Sequence, residues 1–457
     1  MSELPKGWAT ACINDLADIN PKQVFDDHLA AGFVPMSHAP TNFRDKLRFE
    51  DRNWGDIQKA YTNFKNGDVI FAKVTPCFEN GKAAFVEGLP NGIGAGSSEF
   101  FVLRPFSEEV SAKYLLALVK SRGFMREGAS NMTGAVGLRR VPRQFVESYP
   151  VLVPPASEQT RISQKLDELL AQVDTLKTRI DAIPALLKRF RQSALKSAVS
   201  GQLTAEWRSM RPDRSPLPLE QLVGCIKKSG FKSKAKGIEP AQVSDVPGWL
   251  KTPLGAVFSV KSGDGLTAKE MDENGTIPVY GGNGVTGLHT EHNVTTRTVV
   301  IGRVGYYCGS VHFTPPKAWI TDNALIVKYP APLFNLSYIY WLLLGTDLRK
   351  NTSSSAQPVI SGEKIYPIEL NIAPLEEQIE IVRRVEQLFA FADQLEAKVA
   401  SAKTRIDHLT QSILAKAFRG ELVPQDPNDE PAGVLLERIK AQRAAAPKAK
   451  RTRKTST

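Results

Sequence analysis

The sequence lacks the features that mark several common protein classes. Its four cysteines lie far apart and form no CxxC pair, which argues against a disulfide framework or a cysteine zinc site and favours a reducing compartment. The chain opens without the basic and apolar segments of a signal peptide. Its most apolar window, 333–344, is too short and too mixed to cross a bilayer. We therefore expect a soluble, cytoplasmic protein with no membrane partner.

Motifs that carry common enzyme chemistry are missing as well. We find no GxxxxGK[ST] phosphate loop, HExxH zinc motif, nucleophile elbow or Asn/Asp-Pro-Pro-aromatic tetrapeptide. Residues 282–287 satisfy GxGxxG, but a polar, β-branched run follows instead of a helix, which predicts a glycine-rich loop between strands rather than a dinucleotide site. His289 and His292 have only His312 as a third imidazole, and we predict no metal site and no catalytic residue.

The net charge of +11 comes from two polar segments. Residues 227–236 hold five lysines and residues 441–457 hold six basic residues, with no acidic residue in either. The rest of the chain is neutral in sum. This distribution favours a polyanionic partner, and we predict that both segments act as non-specific electrostatic tethers whose contribution falls with salt.

The most informative feature is an internal duplication with a constant offset of 219 residues. The matched pairs include Pro155/Pro374, Glu158/Glu377, Gln159/Gln378, Ile162/Ile381, Asp174/Asp393, Leu176/Leu395 and Gly201/Gly420. Matches at one offset over roughly fifty residues indicate a protein of two copies, with a period far too long for a solenoid.

Each copy carries an apolar heptad with alternating steps of four and three residues. The predicted seam comprises Ile162, Leu166, Leu169, Val173, Leu176 and Ile180 in the first copy and Ile381, Val385, Leu388, Leu395, Val399 and Ile406 in the second. Two such seams in one chain supply each other with a partner helix. We predict two long antiparallel coiled-coil helices that end at Gly201 and Gly420, with a kink or break in the first at Pro184. The alternative is a pair of ordinary amphipathic core helices.

A strand-rich segment precedes each predicted helix and opens with a similar phrase, LPKGW or VPGW. The predicted fold is α+β, with two structurally similar strand-rich domains joined by the paired helices in pseudo-twofold symmetry. The predicted parts are a first domain at 1–153, the first long helix within 154–205, a basic linker at 206–246, a second domain at 247–373, the second long helix within 374–423, and a short helix and basic tail at 424–457.

This arrangement resembles the specificity subunit of type I restriction–modification systems, over nearly the whole chain. The segments that carry the resemblance are PASEQTRISQKLDELLAQVD at 155–174, LLKRFRQSALKSAVSGQLT at 186–204, IPVYGGNGVTG at 277–287, VVIGRVG at 299–305, EEQIEIVRRVEQLFAFAD at 376–393 and LTQSILAKAFRGEL at 409–422. The first domain departs from the two local motifs of the second, although its end, TGAVGLRRV at 133–141, is similar to the family.

The resemblance implies a non-catalytic protein of host defence that recognises double-stranded DNA. Its two domains would be target-recognition domains, each reading one half of a bipartite, asymmetric site, and its helices would fix the spacer between the halves. Two modification subunits would dock on the helices and methylate adenine, and restriction subunits would join them. No cofactor is expected on this chain, since S-adenosylmethionine, ATP and magnesium would belong to the partners.

Candidate DNA contacts follow from residue chemistry, because phosphates require Lys or Arg, and bases are read by Arg, Lys, Asn, Gln, Ser and Thr. The candidates are Arg44, Lys73, Arg139 and Arg140 in the first domain and Tyr280, Asn283, Arg303, Ser354 and Gln357 in the second. The alternative for each of them is a solvated surface residue.

Two further hypotheses remain open at this point. The chain could be a free-standing bipartite DNA-binding protein that recruits another effector. It could also be a coiled-coil adaptor whose two β modules bind protein or glycan. A neighbouring methylase gene would favour the subunit over the free-standing protein, whereas the adaptor hypothesis predicts no DNA affinity beyond that of the basic tail.

Overall fold

Two helices of 44 residues each are the longest elements of the fold. The computed structural model describes residues 4–135, 137–211, 232, 234, 242–351 and 358–445. The helices are α1 Ile13–Leu16, α2 Trp54–Ile57, α3 Ala112–Val119, α4 Arg122–Ser130, α5 Arg143–Ser148, α6 Ala156–Val199, α7 Ala205–Ser209, α8 Leu254–Val257, α9 Leu336–Gly345, α10 Gly362–Ile365, α11 Leu375–Phe418 and α12 Ala432–Ala445. Short 3₁₀ helices lie at Met36–His38, Pro90–Gly92, Gln202–Thr204 and Ala331–Leu333.

The strands are short, and most have three to six residues. They are β1 Ala9–Cys12, β2 Ala17–Ile19, β3 Ala30–Val34, β4 Glu50–Asn53, β5 Thr62–Lys65, β6 Val69–Ala72, β7 Ala83–Phe85, β8 Ile93–Gly96, β9 Phe100–Pro105, β10 Pro150–Val153, β11 Gln242–Val243, β12 Leu250–Pro253, β13 Ser259–Ser262, β14 Ile277–Gly281, β15 Gly284–His289, β16 Val299–Gly302, β17 Val311–Phe313, β18 Trp319–Ile320, β19 Ala324–Lys328 and β20 Glu369–Ile372. The two basic segments, residues 227–236 and 441–457, lie mostly outside the described residues. Within the described part, no helix is both long and apolar enough to cross a membrane.

Helices α6 and α11 end where the duplicated sequence predicts. Gly201 and Gly420 follow them with φ of +77° and +71°, the left-handed conformation that commonly terminates a helix and that glycine adopts without strain. The sequence predicts a kink or break at Pro184, but α6 continues through this residue as one helix. The predicted break is therefore wrong.

The described residues form two compact units. Unit 1 comprises residues 1–181 with 400–457, and unit 2 comprises residues 182–399. Each unit therefore contains one half of α6 and one half of α11. The ion pairs between these halves include Lys177–Asp407 at 3.7 Å and Asp181–Lys403 at 2.7 Å in unit 1, and Arg191 with Asp393 at 2.6 Å and with Glu396 at 2.8 Å in unit 2. In unit 1 the residue number on α11 falls as the number on α6 rises, so the two helices are antiparallel there. In unit 2 Arg384 on α11 donates to the carbonyl of Leu203, just after α6, at 2.9 Å, which together with the Arg191–Asp393 pair gives the same direction.

The seam between the helices is apolar but follows a slightly different stripe from the predicted one. Ile162, Leu166, Val173, Ile381, Val385 and Ile406 are buried, and Leu169, Ile180, Leu388, Leu395 and Val399 are half-buried. Leu176 departs from the prediction with 45% of its surface exposed, whereas Leu170, outside the predicted heptad, is buried. A straight helix drifts by about 20° per heptad from a 3.5-residue seam, which turns Leu176 outward.

The strand-rich part of unit 1 contains three sheets. Strands β1 and β10 pair antiparallel beside the start of α6, and the other sheets have the orders β2-β9-β6-β7 and β4-β3-β8-β5. In the latter sheet β3 and β8 run parallel. Strands β6 and β9 are almost wholly buried, and their apolar side chains fill the core between the sheets.

Unit 2 repeats this plan. Strand β12 pairs antiparallel with β20, the four-stranded sheet has the order β13-β19-β16-β17, and a parallel pair, β14 and β18, lies in the third sheet.

Both units also begin with the same turn. Trp8 and Trp249 donate a backbone N–H to the carbonyl three residues earlier, at 3.1 and 3.0 Å, after a glycine with positive φ. The two strand-rich domains are therefore structurally similar.

Candidate nucleic-acid interface

Lys73 occupies a fixed position in unit 1, directly after β6. Its backbone N–H donates to the carbonyl of Glu99 at 2.9 Å, and its own carbonyl accepts from the N–H of Val141 at 2.8 Å. The ammonium group lies 5.5 Å from the centre of the Phe101 ring. The backbone is therefore held on both sides while the half-buried side chain reaches the domain surface.

Arg140 and Arg139 join Lys73 at this place. Arg140 forms a two-pronged ion pair with Glu99, in which Nε and Nη2 lie 2.9 and 2.8 Å from the two carboxylate oxygens. The hydrogen bond from Arg140 lowers the pKa of Glu99. Arg139 is exposed, and its carbonyl accepts from the N–H of Thr75 at 3.0 Å. Three of the four predicted candidates of the first domain thus lie together.

Arg44 lies apart from this group. Its guanidinium is 3.5 Å from Asp174 on α6, within unit 1. The predicted candidate therefore contacts the long helix, and its charge is already partly balanced there. Both side chains are well exposed, so this pair contributes little to stability.

Arg303 occupies in unit 2 the position that Lys73 occupies in unit 1. It directly follows β16, its N–H donates to the carbonyl of Asn323 at 2.9 Å, and its carbonyl accepts from the N–H of Ile360 at 2.8 Å. The guanidinium is held by the hydroxyl of Ser262 at 3.4 Å. Both units therefore place a basic side chain at the same strand end, although the sequences around the two residues differ.

Asn283 is brought to Arg303 by close backbone packing. It is exposed in the turn between β14 and β15, next to Gly282, and the hydroxyl of Ser310 donates to the Gly282 carbonyl at 3.1 Å. A Cβ atom at Gly302 would lie 2.1 Å from that same carbonyl. Glycine is therefore required at Gly302 for the turn to approach the strand that leads to Arg303.

Tyr280, predicted as a DNA contact, belongs to the core instead. Only 8% of its surface is exposed, and its hydroxyl donates to the Phe313 carbonyl at 3.2 Å. Its ring belongs to a buried apolar cluster with Val300, Ala318, Ile320 and Ala324. Ser354 and Gln357, the remaining candidates, lie outside the described residues.

A basic groove in unit 1 was not predicted from the sequence. It has a volume of about 500 Å³ and is lined by His38, Lys46, Arg48 and Lys82, with Asp45 as its one acidic lining residue. The Lys82 ammonium donates to the carbonyl of Met36 at 2.8 Å. His38, Lys46 and Arg48 come from one stretch, residues 37–48, and Lys82 comes from a distant one, so the sequence alone does not show that the four side chains share a groove.

His289 and His312 of unit 2 contact neighbouring side chains, whereas His292 is exposed. His289 meets the Trp319 ring edge-on at 5.2 Å, and His312 lies 2.9 Å from the hydroxyl of Ser310. Burial lowers the pKa of His312. Among the described residues, no group of three or more His, Cys, Asp and Glu side chains is placed to hold a metal ion. The sequence predicts residues 282–287 as a loop between strands, but only Gly282 and Asn283 form a turn, and residues 284–287 belong to β15 of the β14–β15 hairpin.

Comparison with known proteins decides the family. The profile described as "Type I restriction modification DNA specificity domain" matches residues 5–185 and 247–402. The chain belongs to this family. It is 42% identical to the type I restriction enzyme EcoAI specificity subunit of Escherichia coli, over 91% of this chain and 83% of that protein. It is 33% identical to the EcoKI specificity subunit of Escherichia coli K12, over 99% of each.

Solved structures share the fold of this specificity subunit. The HsdS subunit of Thermoanaerobacter tengcongensis has a TM-score of 0.61 at 19% identity, over 92% of this chain and 98% of its own. A chain from a study of complex assembly and conformational transition of the type I R-M system has a TM-score of 0.62 at 19% identity. Membership in the family establishes DNA recognition, rather than catalysis, as the role of this chain within a type I system.

Proposed function

We propose that this specificity subunit reads a bipartite, asymmetric DNA site, with one half-site for each strand-rich domain. The observation that carries the proposal is the equivalence of Lys73 and Arg303. Both follow a buried strand, and matching backbone hydrogen bonds fix both. A basic group held in this way suits contact with a phosphate or with the edge of guanine.

The surroundings of the two basic residues favour different half-sites. Lys73 lies with Arg139 and Arg140, whereas Arg303 lies with Asn283. Arginine pairs preferentially with guanine and asparagine with adenine in the major groove. An equivalent scaffold that carries unlike side chains supports a site whose two halves differ in sequence.

We propose that α6 and α11 set the spacer between the half-sites. Each helix is continuous over 44 residues, which corresponds to about 66 Å at 1.5 Å per residue. The ion pair between Asp181 and Lys403 marks facing positions on the two helices. A helix pair in fixed register is rigid enough to hold a constant distance, as a spacer requires.

We also propose that the paired helices dock two modification subunits, which supply the S-adenosylmethionine chemistry, and that restriction subunits join them. Large apolar side chains remain on the solvent faces of the helices. Leu176 and Leu409 are 45% and 42% exposed in unit 1, and Leu186 and Phe391 are 56% and 55% exposed in unit 2. Exposed apolar side chains of this size are typical of protein contact surfaces. The complex would act on DNA in the cytoplasm.

Methylation sequencing of the host genome tests the bipartite site directly. We expect a split motif with methylated adenine and a spacer of constant length. Exchange of residues 1–153 for the first domain of a relative should change one half of that motif and leave the other half and the spacer as they were. If both halves change together, the domains do not read DNA independently.

The role of the helices has its own test. Seven residues inserted after Asp181, together with seven before Lys403, keep facing positions matched and lengthen the pair by about 10 Å. The spacer should then grow by about three base pairs, at roughly 3.4 Å each. The matched control inserts seven residues between positions 424 and 431, after α11 has ended, and should leave the spacer unchanged. An unchanged spacer in the helix variant would remove the helices from this role.

A further inference from the structure

Two adjacent tyrosines protrude from the strand-rich domain of unit 2. Tyr306 and Tyr307 lie between β16 and β17 and are 79% and 53% exposed. Their rings meet edge-on with centroids 5.0 Å apart. Tyrosine rings on a protein surface are commonly covered at least in part, because their apolar area is large. A pair this exposed points to a partner that covers it.

The loop that carries the tyrosines is anchored rather than loose. Gly305 and Gly309 bracket the segment with φ of +84° and +83°. The N–H of Cys308 donates to the Gly305 carbonyl at 3.0 Å, and the Gly309 N–H donates to the carbonyl of Gly302 at 2.8 Å. Cys308 is 2% exposed and fixes the loop to the core. The rings are therefore presented by a defined backbone.

The tyrosines lie beside the residues proposed to contact DNA. Arg303 is three residues before Tyr306 in the same connection, and the turn that holds Asn283 packs against the backbone of Val304. Arg303 and Asn283 supply the polar and charged groups of this surface, and the tyrosines supply the apolar ones. Nucleic-acid surfaces combine cationic groups with exposed aromatic rings in this way.

The equivalent loop of unit 1 is different. This loop follows Lys73 and carries Phe78, which is 2% exposed. The Phe78 ring packs against that of Phe124, with the two centroids 5.9 Å apart. The aromatic side chain of that loop therefore supports the core. The protruding aromatic pair is a feature of unit 2 alone among the two strand-end loops, and this difference matches the proposal that the domains read unlike half-sites.

We propose that Tyr306 stacks on a base of the half-site read by unit 2, at a base-pair step that opens to admit the ring. Tyr307 is a positioning residue, since its ring edge supports that of Tyr306 at 5.0 Å. This inference rests on the proposed function and adds a stacking contact to it. The energy of such a contact comes from ring overlap, so it depends little on salt or on the phenolic hydroxyl.

The test uses the full chain, alone and assembled with its methyltransferase subunits, and a duplex of about 40 base pairs that carries the motif found by methylation sequencing. We compare Tyr306→Ala, Tyr306→Phe, Tyr307→Ala and the control Tyr61→Ala, which removes a 39% exposed tyrosine from unit 1. We expect Tyr306→Ala to weaken specific binding about tenfold or more, while the slope of log K against log salt stays unchanged. Tyr306→Phe and Tyr61→Ala should bind as the wild type does.

A fluorescent base locates the contact. With 2-aminopurine placed in turn at positions of the unit 2 half-site, one position should change its fluorescence when wild-type protein binds, and Tyr306→Ala should abolish that change. Tyr307→Ala should reduce it. Such a signal in one half-site would support stacking, whereas its absence from every position would overturn it.

Other outcomes separate this inference from the proposed function. If Tyr306→Phe loses as much affinity as Tyr306→Ala, the hydroxyl binds DNA and stacking is wrong. If Tyr306→Ala binds DNA normally but assembles poorly with the methyltransferase subunits, the pair is a protein contact and the inference fails. In both cases the proposal that the two domains recognise a bipartite DNA site still stands. If the wild type shows no preference for the motif, the proposed function itself fails.

Discussion

The side-chain oxygen of Gln378 accepts a hydrogen bond from the backbone N–H of Asn335 at 2.9 Å. Asn335 caps helix α9, so the first turn of α11 holds the start of a helix in the strand-rich domain. Unit 1 contains the same bond at the same length, from the N–H of Ser111, which caps α3, to Gln159 on α6. The duplicated glutamines therefore join each long helix to its own domain.

Replacement of Gln378 by alanine should be strongly destabilising. The side chain is fully buried, and its amide also donates to the carbonyls of Leu333 and Ala373 at 3.0 and 2.9 Å. Gln378→Ala leaves an N–H and two carbonyls buried without these partners. We expect a loss of about 2–4 kcal/mol in the free energy of unfolding, measured by urea titration with circular dichroism.

The matched control is Gln394→Ala, which changes an exposed glutamine on the same helix. It should alter stability by no more than about 0.5 kcal/mol. Equal urea midpoints for Gln378→Ala and Gln394→Ala would show that the buried amide of Gln378 does not hold the domain to the helix.

The apolar seam, rather than the ion pairs, should hold the helices together. Ile381 is 1% exposed, and Ile381→Ala should cost about 2–5 kcal/mol because a cavity remains. Arg191→Ala removes bonds to Asp393 and Glu396, but those carboxylates are 70% and 55% exposed, so the loss should stay below about 1 kcal/mol. The free energy of unfolding of both variants is measured in low and high salt. A larger loss for Arg191→Ala than for Ile381→Ala would show that the ion pairs contribute more than the apolar seam.

Regular elements were predictable because their signals are local and repeated. The cap glycines located the ends of α6 and α11 to within two residues, and the predicted tail helix corresponds to Ala432–Ala445. Pro184 does not break α6, so this local signal did not decide whether the helix continues. Leu176 was misleading because a strict heptad assumes supercoiling throughout.

The candidate site was less predictable, because strand pairing decides which side chains reach the surface. Tyr280 lies in a motif that resembles the family's recognition segment, yet it is buried in an apolar cluster with Val300 and Ile320. Arg44 meets a partner 130 residues away. Tyr306 and Tyr307 did carry a signal that sequence reasoning missed, namely two adjacent aromatic residues between glycines in a polar loop.

Acid should weaken the start of α11 through Glu380. Hydrogen bonds from Arg383 and Arg384 lower its pKa from 4.5 to about 2. Because the folded-state pKa is the lower one, the stabilisation is complete above about pH 4.5 and is lost as the pH falls towards 2. Glu380→Gln cannot ionise, so its stability should change less over this window than that of the wild type.

Unfolding midpoints at pH values from 6 to 2 check the Glu380 prediction. Glu386→Gln, at an exposed site on the same helix, is the control and should follow the wild-type curve. Parallel curves for Glu380→Gln and the wild type would mean that this carboxylate contributes nothing to acid sensitivity.

Lys73 and Arg303 should act on separate half-sites. If each contacts one phosphate, Lys73→Gln and Arg303→Gln should each reduce the slope of log K against log salt by about one, whereas Lys22→Gln, at an exposed lysine, should not. With a shortened duplex that ends before the unit 1 half-site and so lacks its phosphates, Lys73→Gln should have little further effect, while Arg303→Gln should still weaken binding. Fluorescence anisotropy over a range of salt concentrations measures both quantities. Each side chain is held by its own domain and should report only on the DNA that this domain contacts. If both variants lost the same affinity on the shortened duplex, the strand-end residues would not divide the site between the domains.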